Sequence, residues 1–286
     1  MASTEAINVQ RLDAFTTQAQ AQLQQLVEDS HWNQLAADWA LFFSLGTLYV
    51  VRDGGGVIVG SGAVLPMGSS LGDAAPVSWI SMILVSPKQR GHGLGRAVFG
   101  RCLAQVTAEG RIPMLDATPE GEALYVQFGF EPTWGFTRWR RPPRERVMAH
   151  CPAEDSTEHL LQLDSEALGF DRRVLLSGIA SRVGSRCVHH ADASALLRQG
   201  RTAVHIGPMH ATEEADGAAL LHAVAAAVSD VLVVDVPKGR CLMEAALKAD
   251  GFTPERSFVR MVLSKGLKLP PTKTEIVQAV AGPEYA

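Results

Sequence analysis

The run Val85-Ser86-Pro87-Lys88-Gln89-Arg90-Gly91-His92-Gly93-Leu94-Gly95-Arg96 joins an apolar stretch to an amphipathic one through closely spaced glycines and arginines. The chemistry this spacing supports is anion binding. Gly91, Gly93 and Gly95 can adopt positive φ and let the backbone approach a ligand, so several amide N–H groups can converge at the positive end of a helix dipole. Such a site needs a strand before it and a helix after it. Residues 80–85 stay apolar, as a buried strand does, and Leu94, Ala97, Val98, Cys102 and Val106 recur at helical spacing.

Two other phosphate loops do not fit. A dinucleotide-binding loop places its glycines near the chain start, in a strand-helix-strand unit with an acidic residue about 20 residues later. A P-loop ends in Gly-Lys-Ser/Thr, which Leu94-Gly95-Arg96 does not supply. The pattern Arg90-x-x-Gly93-x-Gly95, preceded by Val85-x-Pro87, resembles the GNAT superfamily of N-acetyltransferases, in which this loop holds the pyrophosphate of acetyl-coenzyme A. The resemblance implies that Arg90, Gly91, His92, Gly93, Leu94, Gly95 and Arg96 bind the cofactor. It also implies that the backbone of Ile83, Leu84 and Val85 pairs with the pantetheine arm as an added strand does. The family commonly has a tyrosine four residues before a Gly-Phe pair, and Tyr125 stands at that offset from Gly129-Phe130. A phenol there can hydrogen-bond or protonate the leaving thiolate. Acetyl-CoA is then the co-substrate, and no metal is expected.

An alkylammonium of pKa near 10 is only about one part in a few thousand neutral at pH 7, so the acceptor must lose a proton before or during attack. Glu28, Asp29 and Asp38 lie between the first strand and the first hairpin, a region that borders the acceptor pocket in the family, and Asp38 is the first choice of base. Asp116, at a strand end beside the expected splay, is a second acidic candidate and a possible acceptor contact. In Ser30-His31-Trp32-Asn33-Gln34, Trp32 can wall a pocket and Asn33 can give an acceptor a directional hydrogen bond. The same residues read equally well as a helix start, with Asn33 as N-cap and Trp32 as hydrophobic staple. Cys102 falls on the apolar face of its helix, so direct transfer in a ternary complex is expected rather than an acyl-cysteine. The leading acceptor is a primary amine on a small molecule. A protein or peptide lysine or N-terminal acetyltransferase, or a non-catalytic acetyl-CoA-binding sensor, are the alternatives.

The chain also repeats itself. Gly129-Phe130-x-Pro132-x-x-x-Phe136-x-Arg138 returns as Gly251-Phe252-x-Pro254-x-x-x-Phe258-x-Arg260, and Asp116-Ala117-Thr118-Pro119 is echoed by Asp235-Val236-Pro237. Matched positions in one register, with matching elements before them, indicate two similarly folded halves. The expected fold is α/β (α+β), two tandem GNAT-like domains, each a mixed, largely antiparallel central sheet flanked by helices. Residues 1–141 form the catalytic domain, 142–155 a linker, and 156–286 a degenerate domain shaping the acceptor site. Helices are expected at 14–26, 34–43, 94–106, 173–179, 218–228 and 242–249, and a hairpin at 47–52 and 57–65 turning on Asp53-Gly54-Gly55-Gly56. In the second copy, Ile206-Gly207-Pro208-Met209-His210-Ala211 keeps one glycine of the loop, and Leu247 replaces the tyrosine. Glu213, Glu214 and Asp216 follow at a helix start, where they would repel a phosphate.

Bulk properties narrow the partners. A net charge of −4 and a pI near 6.1 argue against a general nucleic-acid binder. The local run Arg138, Arg140, Arg141, Arg144 and Arg146 reads as a solvated connector, with anion recruitment as the lesser reading. Cys102, Cys151, Cys187 and Cys241 are scattered, which suits a reducing cytoplasm. No apolar run of about 18 residues and no export signal point to a membrane, so a soluble cytoplasmic protein is expected. His189 and His190 would face opposite sides of a strand, which argues against a metal site.

Overall fold

The computed structural model describes residues 7–145, 152–154 and 156–286. The first half runs β1 (Val9–Arg11), α1 (Thr17–Asp29), α2 (Ala36–Leu45), β2 (Thr47–Arg52), β3 (Ile58–Pro66), β4 (Val77–Val85), α3 (Leu94–Ala108), β5 (Ile112–Ala117), α4 (Pro119–Gln127) and β6 (Glu131–Arg141). The second runs β7 (Ala153–Glu154), α5 (Thr157–Leu168), α6 (Arg173–Ala180), β8 (Arg186–His190), β9 (Ala193–Arg198), β10 (Val204–His210), α7 (Glu214–Ala227), β11 (Leu232–Pro237), α8 (Cys241–Ala249), β12 (Thr253–Val262) and β13 (Val277–Ala279).

Local chemistry explains the boundaries. Thr16 caps α1 by accepting a hydrogen bond from the Ala19 N–H at 3.1 Å, and Ala19, Leu23, Leu26 and Val27 give the helix one buried face. The Asp53 carboxylate accepts from the amides of Gly55 and Val57, each at 2.9 Å, and so makes the glycine run a hairpin turn. Thr118 accepts from Gly121 at the start of α4, with Pro119 at its first position.

Among the described residues, all thirteen strands join one sheet, in the order β1-β2-β3-β4-β5-β12-β6-β11-β10-β9-β8-β7, with β13 lying on β10. The order reveals a reciprocal exchange. β12, the last long strand of the second half, lies between β5 and β6, while β6 pairs with β11 of the second half on its other side. Phe136 and Phe258 are register partners at the centre of this crossing, with rings stacked 5.0 Å apart. Arg138 stands opposite Asp235 and Arg260 opposite Asp116, so each repeated arginine meets the repeated aspartate of the other half. The cores follow the exchange. Trp139 of β6 packs in the core under α7 and α8, and Met261 and Leu263 pack in the core under α3. A third core, on the opposite face of the sheet, unites residues of α1, α2, α5 and α6.

The arginine run is not a solvated connector. Arg138 makes a bidentate pair with Asp235 at 2.8 and 2.7 Å, and Arg140 pairs with Glu255 at 2.9 Å. Arg141 is 2% exposed and donates to the carbonyls of Ala225, Val228 and Asp230, closing the C-terminal end of α7. Arg144 also donates to Ala225. Arg146 and Cys151 lie outside the described residues. Four elements are absent from the expected layout: β6, α5, the two-residue β7 inside the expected linker, and β13.

Candidate active site

β4 runs parallel to β5 only at Val77, Ser78 and Trp79, whose partners are Ile112, Pro113 and Met114. Beyond Trp79 the two strands part, while β4 stays paired with β3 as far as Val85. Residues 80–85 therefore have one bonded edge and one edge facing a gap. A bulge bends the strand there. Its register slips opposite the Ser61–Ala63 stretch, and Met82 takes a φ of 54°. Gly62 is needed across from the bulge, because a Cβ on it would lie 2.6 Å from Val98 and 2.8 Å from Ile83. A strand edge with free main-chain groups can take an extended ligand as one more strand. Ile83 and Val85 are half-buried along this gap, and Leu84 is buried. Across it, Asp116 leaves main chain accessible while its side chain is wholly buried.

The glycine loop follows directly at the end of β4. Gly91 and Gly93 both have φ of 80°, in the left-handed region that glycine takes without strain. Gly93 is the N-cap of α3, with no side-chain cap and no acidic residue in the first turn. The first helical bond runs from the Ala97 N–H to the Gly93 carbonyl at 3.0 Å. The amides of Leu94, Gly95 and Arg96 precede that bond and lack a carbonyl one turn back. Fifteen residues of helix add their dipole behind them. Arg90 and Arg96 flank the loop, both exposed. Arg90 donates through Nε to the Val85 carbonyl at 3.2 Å, and Arg96 donates to Gln127 at 2.7 Å. His92 is exposed, with Nδ1 3.3 Å from the Gln89 carbonyl.

Tyr125, on α4, packs against α3. Its ring packs 4.7 Å from Phe99 and 6.3 Å from Phe130. Burial pushes its hydroxyl up to about 12, so the phenol is protonated and can donate at neutral pH. Burial likewise raises the Cys102 thiol to about 12 on the inner face of α3, which leaves it inert as a nucleophile.

On the opposite face of the sheet the structure binds the expected acceptor residues to the protein itself. Asp38 is 1% exposed. Its Oδ2 accepts from the Leu35 N–H at 2.5 Å, and its Oδ1 accepts from Arg182 and from the Tyr285 hydroxyl, each at 2.5 Å. The oxygens a base would use are taken, so the geometry does not support Asp38 as one. Asn33 is neither a helix cap nor free for a substrate. It accepts from the amides of Thr202 and Ala203 at 2.8 and 3.0 Å and donates to the Ala203 carbonyl at 3.0 Å, fastening the α1–α2 turn to the second half. Trp32 packs on the core of this face, and its carbonyl accepts from Arg201. Asp116 holds Arg260 through two bonds, at 2.9 and 3.0 Å. Burial raises its carboxyl above the ordinary range against the pull of that guanidinium.

Two contributors were not read from the sequence. Arg260 lies between Trp134 and Trp79, 4.5 and 4.8 Å from their ring centres. It also helps line a largely apolar cavity of about 100 Å³ walled by both halves, among them Met114, Trp134, Leu168 and Phe170. The second is the segment after β13, whose Pro283 carbonyl accepts from the Trp79 indole N–H at 3.0 Å. The repeat marks Arg260, whereas the late segment carries no local signal. Among the described residues, no group of three His, Cys, Asp or Glu side chains is placed to hold a metal.

Comparison with known proteins agrees with this geometry. Residues 44–132 and 160–276 each match an acetyltransferase (GNAT) domain family. A candidate acetyltransferase from Pyrococcus horikoshii superposes with a TM-score of 0.74 at 18% identity, over 99% of this chain and 98% of that one. A tandem GNAT protein from the clavulanic acid biosynthesis pathway gives 0.60 at 15% identity, over 94% and 100%. A GCN5-related N-acetyltransferase from Anabaena variabilis gives 0.56 at 17% identity, over 89% and 72%. No curated protein matches the chain. With two family matches in series on a repeated, strand-exchanged sheet, the chain belongs to the GNAT acetyltransferases and carries two GNAT domains in tandem.

Proposed function

We propose that the first half transfers an acetyl group from acetyl-CoA to a primary amine of a small molecule, by direct attack in a ternary complex. The observation that carries this reading is the continuity of β4 into α3: an unpaired strand edge at residues 80–85 leads into the uncapped, acid-free N-terminus of α3. An extended pantetheine arm and its pyrophosphate need those two features in that order. The Ile83–Val85 backbone would hold the arm, and Gly91 to Arg96, with Arg90, the phosphates.

Tyr125 supplies the leaving-group step in this reading. With its hydroxyl near 12 and an alkyl thiol near 8.5, complete proton transfer to the thiolate is uphill by roughly 5 kcal/mol. Tyr125 therefore acts as a hydrogen-bond donor to the departing sulfur rather than as a net acid. The inert Cys102 favours attack by the amine itself. The small, mostly apolar cavity beside Arg260 supports a compact acceptor over a polypeptide. No side chain is assigned as base.

Free-thiol release from acetyl-CoA across a panel of amines, amino acids and peptides, with product masses read in parallel, tests the proposal. One acetyl mass added to a small amine is the expected result. Transfer confined to peptides would replace the acceptor class, and tight cofactor binding without release on any amine would favour a sensor.

A further inference from the structure

The second half has the same splay as the first, and protein fills it. β10 runs parallel to β11 at Val204, His205 and Ile206, opposite Leu232, Val233 and Val234, just as β4 runs beside β5 before parting. Past Ile206 the gap is occupied by β13, antiparallel to β10 with Met209 opposite Ala279 and His210 opposite Val277. The inserted strand is bonded on both sides. The Ala211 N–H donates to the Ile276 carbonyl at 3.1 Å, and the Val280 N–H donates to the Asp235 carbonyl of β11 at 3.0 Å.

The expected remnant of the anion loop is strand instead: residues 206–210 belong to β10, and they make room for this insertion. Gly207, where the register of β10 against β9 slips, has a φ of 152°, and a Cβ on it would lie 2.1 Å from the Val280 carbonyl. Gly217 in α7 gives similar room to Gln278, whose Nε2 donates to the Ala211 carbonyl at 3.1 Å. Glu214 at the start of α7 caps α8, accepting from the amides of Leu242 and Met243. Beyond β13 the chain crosses to the first half. Arg198 holds Glu284 at 2.6 Å, Pro283 takes the Trp79 N–H, and Tyr285 stacks on Phe42 at 5.2 Å with its hydroxyl on Asp38.

We propose that residues 276–286 are an intramolecular ligand, filling the second cofactor slot and, from that anchor, walling the acceptor face of the first half. The chain then takes one coenzyme A, in the first half. The location of that one site rests on the function proposed above, whereas occupation of the second slot does not.

Calorimetric titration of the full chain with coenzyme A, paired with hydrogen exchange at residues 277–280, tests both parts. The expected result is one equivalent bound, none in Gly93→Glu, and slow exchange at 277–280 that saturating coenzyme A leaves unchanged. A second equivalent, an equivalent surviving in a Gly93→Glu protein that keeps its β10–β13 protection, or exchange at 277–280 that is fast or accelerated by coenzyme A would overturn the inference. No binding at all would instead overturn the acetyl-CoA reading of the first half, and the exchange of the unliganded chain would still decide whether the second slot is filled.

Discussion

At the scale of single residues, the clearest division is between side chains left available and side chains already committed. Tyr125 is available: its hydroxyl is protonated, and its ring is fixed by Phe99 and Phe130. Tyr125→Phe keeps the packing and removes the donor. The expected effect is a fall in kcat of about 10²-fold, the lower range for a positioned acid or donor, with acetyl-CoA affinity unchanged. Steady-state kinetics beside a binding titration read the two apart, and an unaltered kcat would remove Tyr125 from the mechanism. Asp38 is the committed case. Asp38→Ala would strip Arg182 and the buried Tyr285 hydroxyl of their shared acceptor, an expected loss of about 3–5 kcal/mol in denaturant unfolding. A loss below 1 kcal/mol would show that the cluster contributes little. Asp38 and Asn33 looked functional in the sequence because their partners are remote. Arg182 and Tyr285 are 144 and 247 residues away from Asp38, and Ala203 is 170 residues from Asn33. No local pattern encodes such pairings.

At the scale of elements, legibility follows from how much of an element's job is done by backbone. A loop built on positive φ must show glycines, so the turn at residues 91–95 is legible in the sequence. The bulge in β4 works through backbone too, yet its mark is a single glycine on the neighbouring strand. Gly62 is forced by Val98 of α3 on one side and Ile83 of β4 on the other. Gly62→Val would drive a branched side chain into both and push α3 from the sheet. The expected outcome is a destabilisation of about 1–3 kcal/mol together with weakened coenzyme A binding, since the α3 N-terminus moves with its helix. Thermal melts and titration of the same variant check it, and unchanged affinity would uncouple the bulge from the loop. β13 escaped notice for the opposite reason. Three residues, Val277, Gln278 and Ala279, carry too little alternation to read as a strand.

At the scale of the whole molecule, the repeat predicted two similar halves, but not that they trade strands. Trp139 lies in the core under α7 and α8, whereas Met261 lies in the core under α3, so neither half keeps its hydrophobic interior when the other opens. One cooperative transition is the consequence. Its response to acid follows from buried pairs, one of which, Arg138 with Asp235, bridges the exchanged strands. Burial works to raise the carboxyls of Asp164 and Asp235, yet Arg172 with His210, and Arg138 with His205, hold them well below the ordinary carboxylate range. Burial, with Arg198, lowers His205 below the ordinary histidine value. In each case the unfolded chain binds protons more readily, and stability must rise with pH across the interval between the folded and unfolded values. Asp116, raised by burial, works in the opposite sense, but one group stands against three. As pH falls, the contribution of His205 is lost first, below about 6.5, and those of the two aspartates below about 4. Denaturant midpoints recorded from pH 7 to pH 3 should therefore fall continuously, with tryptophan fluorescence and far-UV circular dichroism tracing the same curve at each pH. Separate transitions for the two probes would show that the halves open independently despite the shared sheet. A midpoint flat to pH 3 would show that the buried pairs do not set the acid limit.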